Sequence, residues 1–402
     1  MSVKNTLIYL GVVIYLFLST TVATQFDIEQ VGTVSSILII VMALHNIGVQ
    51  GFNKIANNYS MELFIAFIGV MIVSLKLITS DASAINHVVF FIFVPMLLST
   101  LLQSQNLNLK QGLVKIILFF FVAECLVAFY ERLFLKNIFP YDDVIGYGIT
   151  EFLGFRSTAF LGHPLQNALC VSTIMGFILG SKIRLILKMS FVALGYVALL
   201  CFNARGAIVI WSILIPVYFL IVFFGAQRKE LLTLPSLVFL FLMAVLIGNL
   251  ISAQNFGDRL FDGELFDGSA QTRFEVFDAF SFVSDGDFWF GNSLNYLYVM
   301  NRLGAGGVEN SFIVLMLNYG VIMGLLVIIS YVAWIKKIIF IHDRSQILLI
   351  LVSFVLVGSF NNSLASATSW IIFIVCCNSL PFFVSFNVNY TSRSPRECLL
   401  DK

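Results

Sequence analysis

Residues 255–311 read NFGDRLFDGELFDGSAQTRFEVFDAFSFVSDGDFWFGNSLNYLYVMNRLGAGGVENS, and they are the one stretch of this chain that does not look like membrane. Acids, arginines, glycines and aromatics are interleaved there. On either side, apolar runs of roughly 17 to 25 residues, each long enough to cross a bilayer, alternate with connections of a few residues. This contrast sets the expected fold class: an all-α, polytopic integral membrane protein whose helical scaffold presents one large polar loop. Composition agrees. Of 402 residues, 59% are hydrophobic and 11% charged, far from the balance of a soluble globular domain. The formal net charge of +1 leaves no basic domain or stripe, so a nucleic-acid partner is excluded.

Counting apolar runs predicts about twelve transmembrane helices. Their expected limits are 6–24, 31–49, 61–79, 84–102, 112–135, 165–181, 184–202, 206–225, 233–251, 309–331, 345–360 and 368–386. The organisation that follows is nine spans with short loops over 1–251, the large loop over 252–308, three more spans over 309–386 and a polar tail over 387–402. The first run is long, lacks a small-residue cleavage site and is followed by further spans, so it reads as a retained helix rather than a signal peptide. Five cysteines fall in or at the ends of apolar runs, Cys398 lies in the tail, and the large loop carries no paired-cysteine framework.

The distribution of Lys and Arg orients the chain. With Met1 in the cytoplasm, fifteen of the 23 basic residues fall on the inner side, both termini are cytoplasmic and the large loop is outside. The exceptions carry information: Arg132, Lys136, Arg156, Arg205, Arg259, Arg273 and Arg302 are outer, and six of these seven are arginine, whereas ten of the fifteen inner residues are lysine. Guanidinium groups grip phosphate and carboxylate through paired, directional hydrogen bonds, while lysine acts as a point charge. The outer surface is therefore a candidate anion site; the competing reading pairs these arginines with the loop's own acids.

Three outer regions stand out. In GFRSTAFLGHPLQNA, Arg156 precedes an apolar turn, and Gly162-His163-Pro164 breaks the backbone before a helix whose first amides could bind phosphate oxygens. An ordinary turn leading into a helix explains the same spacing. In Cys201-Phe202-Asn203-Ala204-Arg205-Gly206, the short connection holds Arg205 near the interface, where a charge is costly and is a functional hypothesis by default, with snorkelling to headgroups as the alternative. In the large loop, Phe274, Phe277 and Phe280 recur at helical spacing with Arg273 and Asp278 among them, which predicts an amphipathic helix lying on the membrane or packing on the scaffold. The Phe261-Asp262-Gly263 and Phe266-Asp267-Gly268 doublet does not match a calcium loop and reads as two turns.

The loop ends in GGVENSFIVLMLNYGVIMG, where Glu309 and Asn310 open the tenth span and Gly320 and Gly324 form a small-xxx-small pair open to close helix approach. An acid in a helix's first turn is favourable whatever its function. Glu124 lies inside the fifth span and is a weaker candidate; His45, His87 and His342 are isolated and read as structural or interfacial. No metal-ligand spacing, phosphate loop, nucleophile elbow or dinucleotide fingerprint occurs, so neither metal nor cofactor is expected.

These features resemble the O-antigen polymerase and O-antigen ligase superfamily, the Wzy and WaaL-type enzymes of bacterial surface polysaccharide assembly. FRSTAFLGHPLQNA is similar to the family's Arg, Gly-x-Pro segment, NARGA to its second Arg-Gly at a span start, DFWFGNS to a turn in its large outer loop, and ENSFIVLMLNYGVIMG to the opening of its next helix. The resemblance runs in the family's order over Arg156 to Gly324. Glu309 stands where ligases usually have histidine, which favours polymerase.

The resemblance implies a GT-C-like helical bundle in the bacterial inner membrane, a metal-independent glycosyltransferase acting on undecaprenyl-diphosphate-linked oligosaccharide, with a polysaccharide chain-length regulator as a further partner. Arg156 and Arg205, with His163, Asn203 and Arg273, are then expected at the donor diphosphate, Glu309 as the base and Asn310 at the sugar. Two other readings stay open: a ligase passing polymer to lipid A core, and a flippase for the lipid-linked unit.

Overall fold

The computed structural model describes residues 3–28, 30–50, 57–139, 155–181, 183–224, 275–303, 308–339, 344–359 and 361–382, with positions 245, 248 and 249. Most of the expected ninth span, Arg259, Arg273, Phe274, the two Phe-Asp-Gly turns, His342, Cys398 and the tail at 387–402 lie outside the described residues.

Among the described residues the regular structure is helical, with no strand. The main helices are α1 (Val3–Phe17), α2 (Val31–Gln50), α3 (Ser60–Ile78), α4 (Ala82–Gln103), α5 (Leu107–Phe134), α6 (Pro164–Gly180), α7 (Leu185–Phe202), α8 (Arg205–Phe224), α9 (Leu294–Leu303), α10 (Ser311–Tyr319), α11 (Val321–Ile339), α12 (Gln346–Ser359) and α13 (Ala367–Ser379). Among the described residues, seven regions, in α2, α3, α4, α5, α7, α8 and α11, are long and apolar enough to cross a membrane. The helices α1, α6, α12 and α13 are apolar but shorter. This is the build of a multi-pass membrane protein.

Helix is the expected outcome for such sequences, because a lipid-facing segment must satisfy every backbone N–H and C=O within itself. The outward faces bear this out. On α11, Ile322, Leu325, Ile329 and Val332 form one exposed stripe, and on α5 Phe119, Leu126 and Leu133 form another. Water would not tolerate such stripes over so many helices. The centre is filled by helices that are apolar on all sides and buried on all sides. In α6 every residue from Asn167 to Gly180 is buried, and in α13 every residue from Ser369 to Ser379.

Two departures from regular helix have identifiable causes. In α4, Pro95 has no N–H to offer the Phe91 carbonyl four residues back, and a π-turn occupies Val89–Phe93. The Tyr331 hydroxyl of α11 donates to that orphaned carbonyl at 2.6 Å, so the break also welds two helices. The second departure falls in the expected tenth span at 309–331, which is not one helix. Gly320, at φ +82°, ends α10, and α11 begins at Val321.

The bundle has two distinct polar ends. At one of them Glu62, buried, accepts from Gln103 Nε2 at 2.9 Å, Trp334 Nε1 at 3.1 Å and Lys337 Nζ at 3.0 Å, locking α3, α4 and α11 together. A buried carboxylate is tolerated when it is partnered in this way. The opposite end carries the residues of interest.

Candidate functional site

Between α5 and α6, the chain from Phe155 to His163 turns into the bundle instead of running over it. Arg156, Ser157, Thr158, Ala159 and Gly162 are all buried. Irregular backbone at such a place needs a partner for each polar group, and α5 supplies them. Glu131 Oε2 accepts from Thr158 N at 2.8 Å and Ala159 N at 3.0 Å, while its Oε1 accepts from Ile138 N at 2.7 Å. Glu124 Oε2 accepts from Phe160 N at 3.2 Å. The Ser157 hydroxyl donates to Ala128 O at 2.8 Å, and Arg132 Nη1 to Phe155 O at 2.7 Å. Glu124, Ala128 and Glu131 lie on one face of α5, since residues four and seven apart align. Two further short contacts, Ser19 Oγ to Phe160 O and Asn167 Nδ2 to Thr158 O, tie the segment to the α1 end and to α6.

Held there, Arg156 reaches across to the end of α7, where its Nε donates to Phe202 O at 3.1 Å, and Ser157 N donates to Cys201 O at 3.1 Å. Asn203 follows in the left-handed region at φ +53° and closes α7 through its own amide, which donates to Leu200 O at 3.1 Å. Asparagine is among the few side chains that adopt this conformation readily. Arg205 then opens α8. Arg156 is thus brought to the turn that carries Asn203 and Arg205.

His163 is the residue before α6, in extended conformation, with Pro164 in the first helical turn as expected. Burial, reinforced by the neighbouring Arg156 guanidinium, pushes its pKa down to about 4. At neutral pH it is a neutral hydrogen-bonding ring rather than a cation, so it adds no charge to an anion site.

Glu309 and Asn310 stand at the start of α10, at the same end. Asn310 Oδ1 caps the helix, accepting from Phe312 N at 3.0 Å and Ile313 N at 3.2 Å. Ser311 Oγ donates to Asn361 O at 2.8 Å and accepts from Leu364 N at 3.0 Å. A few residues on, Ser366 Oγ accepts from Gln166 Nε2, in the first turn of α6, at 3.0 Å. The short connection between α12 and α13 therefore bridges the beginning of α10 to the beginning of α6. Glu309 is half-buried.

The large loop is fastened to this end by a latch that sequence reasoning missed. Lys76, fully buried near the end of α3, donates to Gly291 O at 2.6 Å and lies 3.6 Å from Asp81, in the turn before α4. Asp81 accepts from Ser293 N at 2.9 Å, Ser293 Oγ at 2.6 Å and Ala84 N at 3.0 Å. Burial alone would raise the Asp81 pKa, but these hydrogen bonds and the Lys76 ammonium outweigh it and hold it below the ordinary carboxylate value. Asn292 N donates to Leu317 O at 3.0 Å, and the left-handed Gly291 (φ +69°) packs backbone to backbone against Gly320. His87 adds a tie, its Nδ1 2.6 Å from the Tyr319 hydroxyl and its Nε2 3.1 Å from Ala365 O. The DFWFGNS turn is thereby seated on the α10–α11 break.

The loop's Phe pattern folds differently from expectation. Val276–Phe282 is a 3-10 helix, with three residues per turn, so Val276 and Ala279 form the buried face and Phe277 is 66% exposed. Glu131, Arg132, Lys76 and Asp81 are the polar residues of this end that the sequence did not flag as contacts. Only the seven-residue spacing of Glu124 and Glu131 on one helix offered a signal.

No group of three or more His, Cys, Asp or Glu side chains that could hold a metal ion occurs among the described residues. Comparisons with protein-family models, with curated proteins and with solved structures find no match for this chain. Fold and site together define a class: a multi-pass, all-α membrane protein that gathers Arg132, Arg156 and Arg205 at one end of its bundle.

Proposed function

We propose that this protein is a polysaccharide polymerase of the O-antigen polymerase type, moving a growing glycan from undecaprenyl diphosphate to the non-reducing end of an incoming lipid-linked repeat unit. It would be a bacterial inner-membrane protein of about twelve helices, with both termini cytoplasmic and the site facing outward. What supports this reading is the meeting of Arg156 with the Asn203–Arg205 turn, at the end of the bundle where Glu309 precedes the Asn310 cap of α10. The sequence resemblance over Arg156 to Gly324 points the same way.

In the proposed reaction the acceptor hydroxyl oxygen bonds to the donor's anomeric carbon. The bond from that carbon to the phosphate oxygen breaks, its electron pair leaving with the diphosphate, and the hydroxyl proton passes to the Glu309 carboxylate. Arg156 and Arg205 stabilise the charge growing on the diphosphate, and guanidinium groups supply that charge without a metal. Neutral His163 contributes a hydrogen bond. Asn310, its Oδ1 engaged in capping, orients the segment that carries Glu309.

Arg205→Ala and Glu309→Ala, expressed in the native host, are expected to abolish long chains on a polysaccharide gel while the protein still inserts in the membrane. Normal long chains in both variants would refute the site. Gene loss separates polymerase from ligase: single capped repeats follow from the first, and long polymer retained on the carrier from the second.

A further inference from the structure

The large loop bears exposed apolar side chains that the proposed chemistry does not use. Trp289 and Phe290 end the short helix Asp285–Phe290, and Leu294, Leu297 and Tyr298 follow on one face of α9. Their exposures run from 46% for Tyr298 to 66% for Leu294, whereas Asn295, Val299 and Met300 on the opposite face are buried.

The height of these side chains relative to a bilayer follows from two fixed points. With 19 residues, α11 rises about 28 Å, close to the thickness of a bilayer's hydrocarbon core. Gly320, just before it, therefore stands at the hydrocarbon boundary. Gly291 packs against Gly320, so Trp289 and Phe290 stand there too. The second point is Lys76, near the end of the 19-residue α3, whose ammonium holds Gly291 O and so sets the turn at the same level. From this level the lipid-facing stripe of α11 runs on through Ile322, Leu325 and Ile329. Farther along α9 the surface becomes polar, where Arg302 Nε donates to the Tyr298 hydroxyl at 3.2 Å with the guanidinium 5.2 Å from the Tyr298 ring centre.

We propose that Trp289, Phe290, Leu294, Leu297 and Tyr298 seat the large loop in the boundary between headgroups and acyl chains, with bilayer lipid as the partner of this surface. Tryptophan and tyrosine favour that layer because an apolar ring and a polar tip are both accommodated. A helix lying in the interface buries its apolar face shallowly and leaves its cations at phosphate depth, which is where Arg302 would stand.

Tryptophan fluorescence of the full chain in phosphatidylcholine nanodiscs tests this. Of the four tryptophans, Trp211, Trp334 and Trp370 are buried and Trp289 is 49% exposed, so the difference between wild type and Trp289→Phe isolates its emission. The expected result is loss of most of that component in lipids brominated near the carbonyl end of the acyl chain. Loss should be smaller with bromine near the methyl end, and iodide in the buffer should have little effect. A Trp289 component untouched by either brominated lipid and open to iodide would overturn the proposal. So would one that responds only to added oligosaccharide, which would make the surface a sugar platform.

Should Trp289→Phe fail to fold, a nitroxide on Leu297→Cys, in a Cys398→Ser background, gives the same reading. Greater relaxation by oxygen than by a water-soluble nickel chelate supports interfacial burial, and the reverse overturns it.

Discussion

At the scale of single residues, the polar end of the bundle divides its charges between two tasks. Glu131 gives both carboxylate oxygens to backbone amides, and Arg132 gives Nη1 to a carbonyl, so these two hold irregular backbone in place. Each such buried donor or acceptor left unmatched would cost on the order of 1–3 kcal/mol. Arg156 and Arg205 belong to the turn that this scaffolding assembles. His163 makes a pH prediction. Its folded pKa of about 4 lies below the ordinary 6.5, so between those values the unfolded chain takes up a proton that the folded chain refuses. The stability associated with neutral His163 is present above the ordinary value and is lost as pH falls from about 6.5 towards 4. Thermal unfolding in detergent micelles should show wild type losing more stability than His163→Gln across that window; equal slopes would sink this account.

At the scale of elements, the decisive event is the break at Gly320. Its backbone, at φ +82° and ψ 160°, lies in a region essentially reserved for glycine and would strain an L side chain by about 1–3 kcal/mol, and a Cβ there would run into the backbone of Trp289 and Phe290. Gly320→Ala should therefore destabilise the protein by more than the conformational term alone, because it also pries the DFWFGNS turn from the end of α10. Unchanged unfolding in a denaturing-detergent titration would mean that the contact gives way freely. Gly324, four residues on, serves close packing as its spacing implied: a Cβ there would meet Met316 Cα at 2.9 Å. The two glycines of one small-xxx-small pair thus do different things, one turning the chain and the other letting α10 lie against α11.

At the scale of the whole molecule, two lysine and carboxylate clusters, one around the buried Glu62 carboxylate and one around the buried Lys76 ammonium, pin opposite ends of the α3–α4 pair. The Glu62 cluster joins α3 and α4 to α11, and the Lys76–Asp81 cluster joins them to the large loop. Lys76→Met should strand Asp81 without its cation and Gly291 O without a donor, at a cost of about 3–5 kcal/mol for a broken buried pair. The predicted signature is local: hydrogen exchange should accelerate around 289–294 while amides near Glu62 keep their protection. Uniform exchange across both ends would show that the latch does not act on the loop separately.

Much of this protein was legible without coordinates. Hydropathy is a local property, and in lipid it leaves helix as the form that satisfies a spanning backbone, so the membrane class and most positions of the described helices could be read residue by residue. The positions of His163, Arg205 and Glu309 at or beside helix starts were likewise written in nearby glycines, prolines and charges, whereas Arg156 lies in irregular backbone inside the bundle. Which of them meet was not, because the bonds that assemble this end join distant parts of the chain: Thr158 to Glu131 across 27 residues, Gln166 to Ser366 across 200, and Lys76 to Gly291 across 215. No periodicity or motif spans such separations. Packing alone decided that one acid would hold a loop, that Lys76 would bridge to the large loop, and that a single predicted span would fold as two helices.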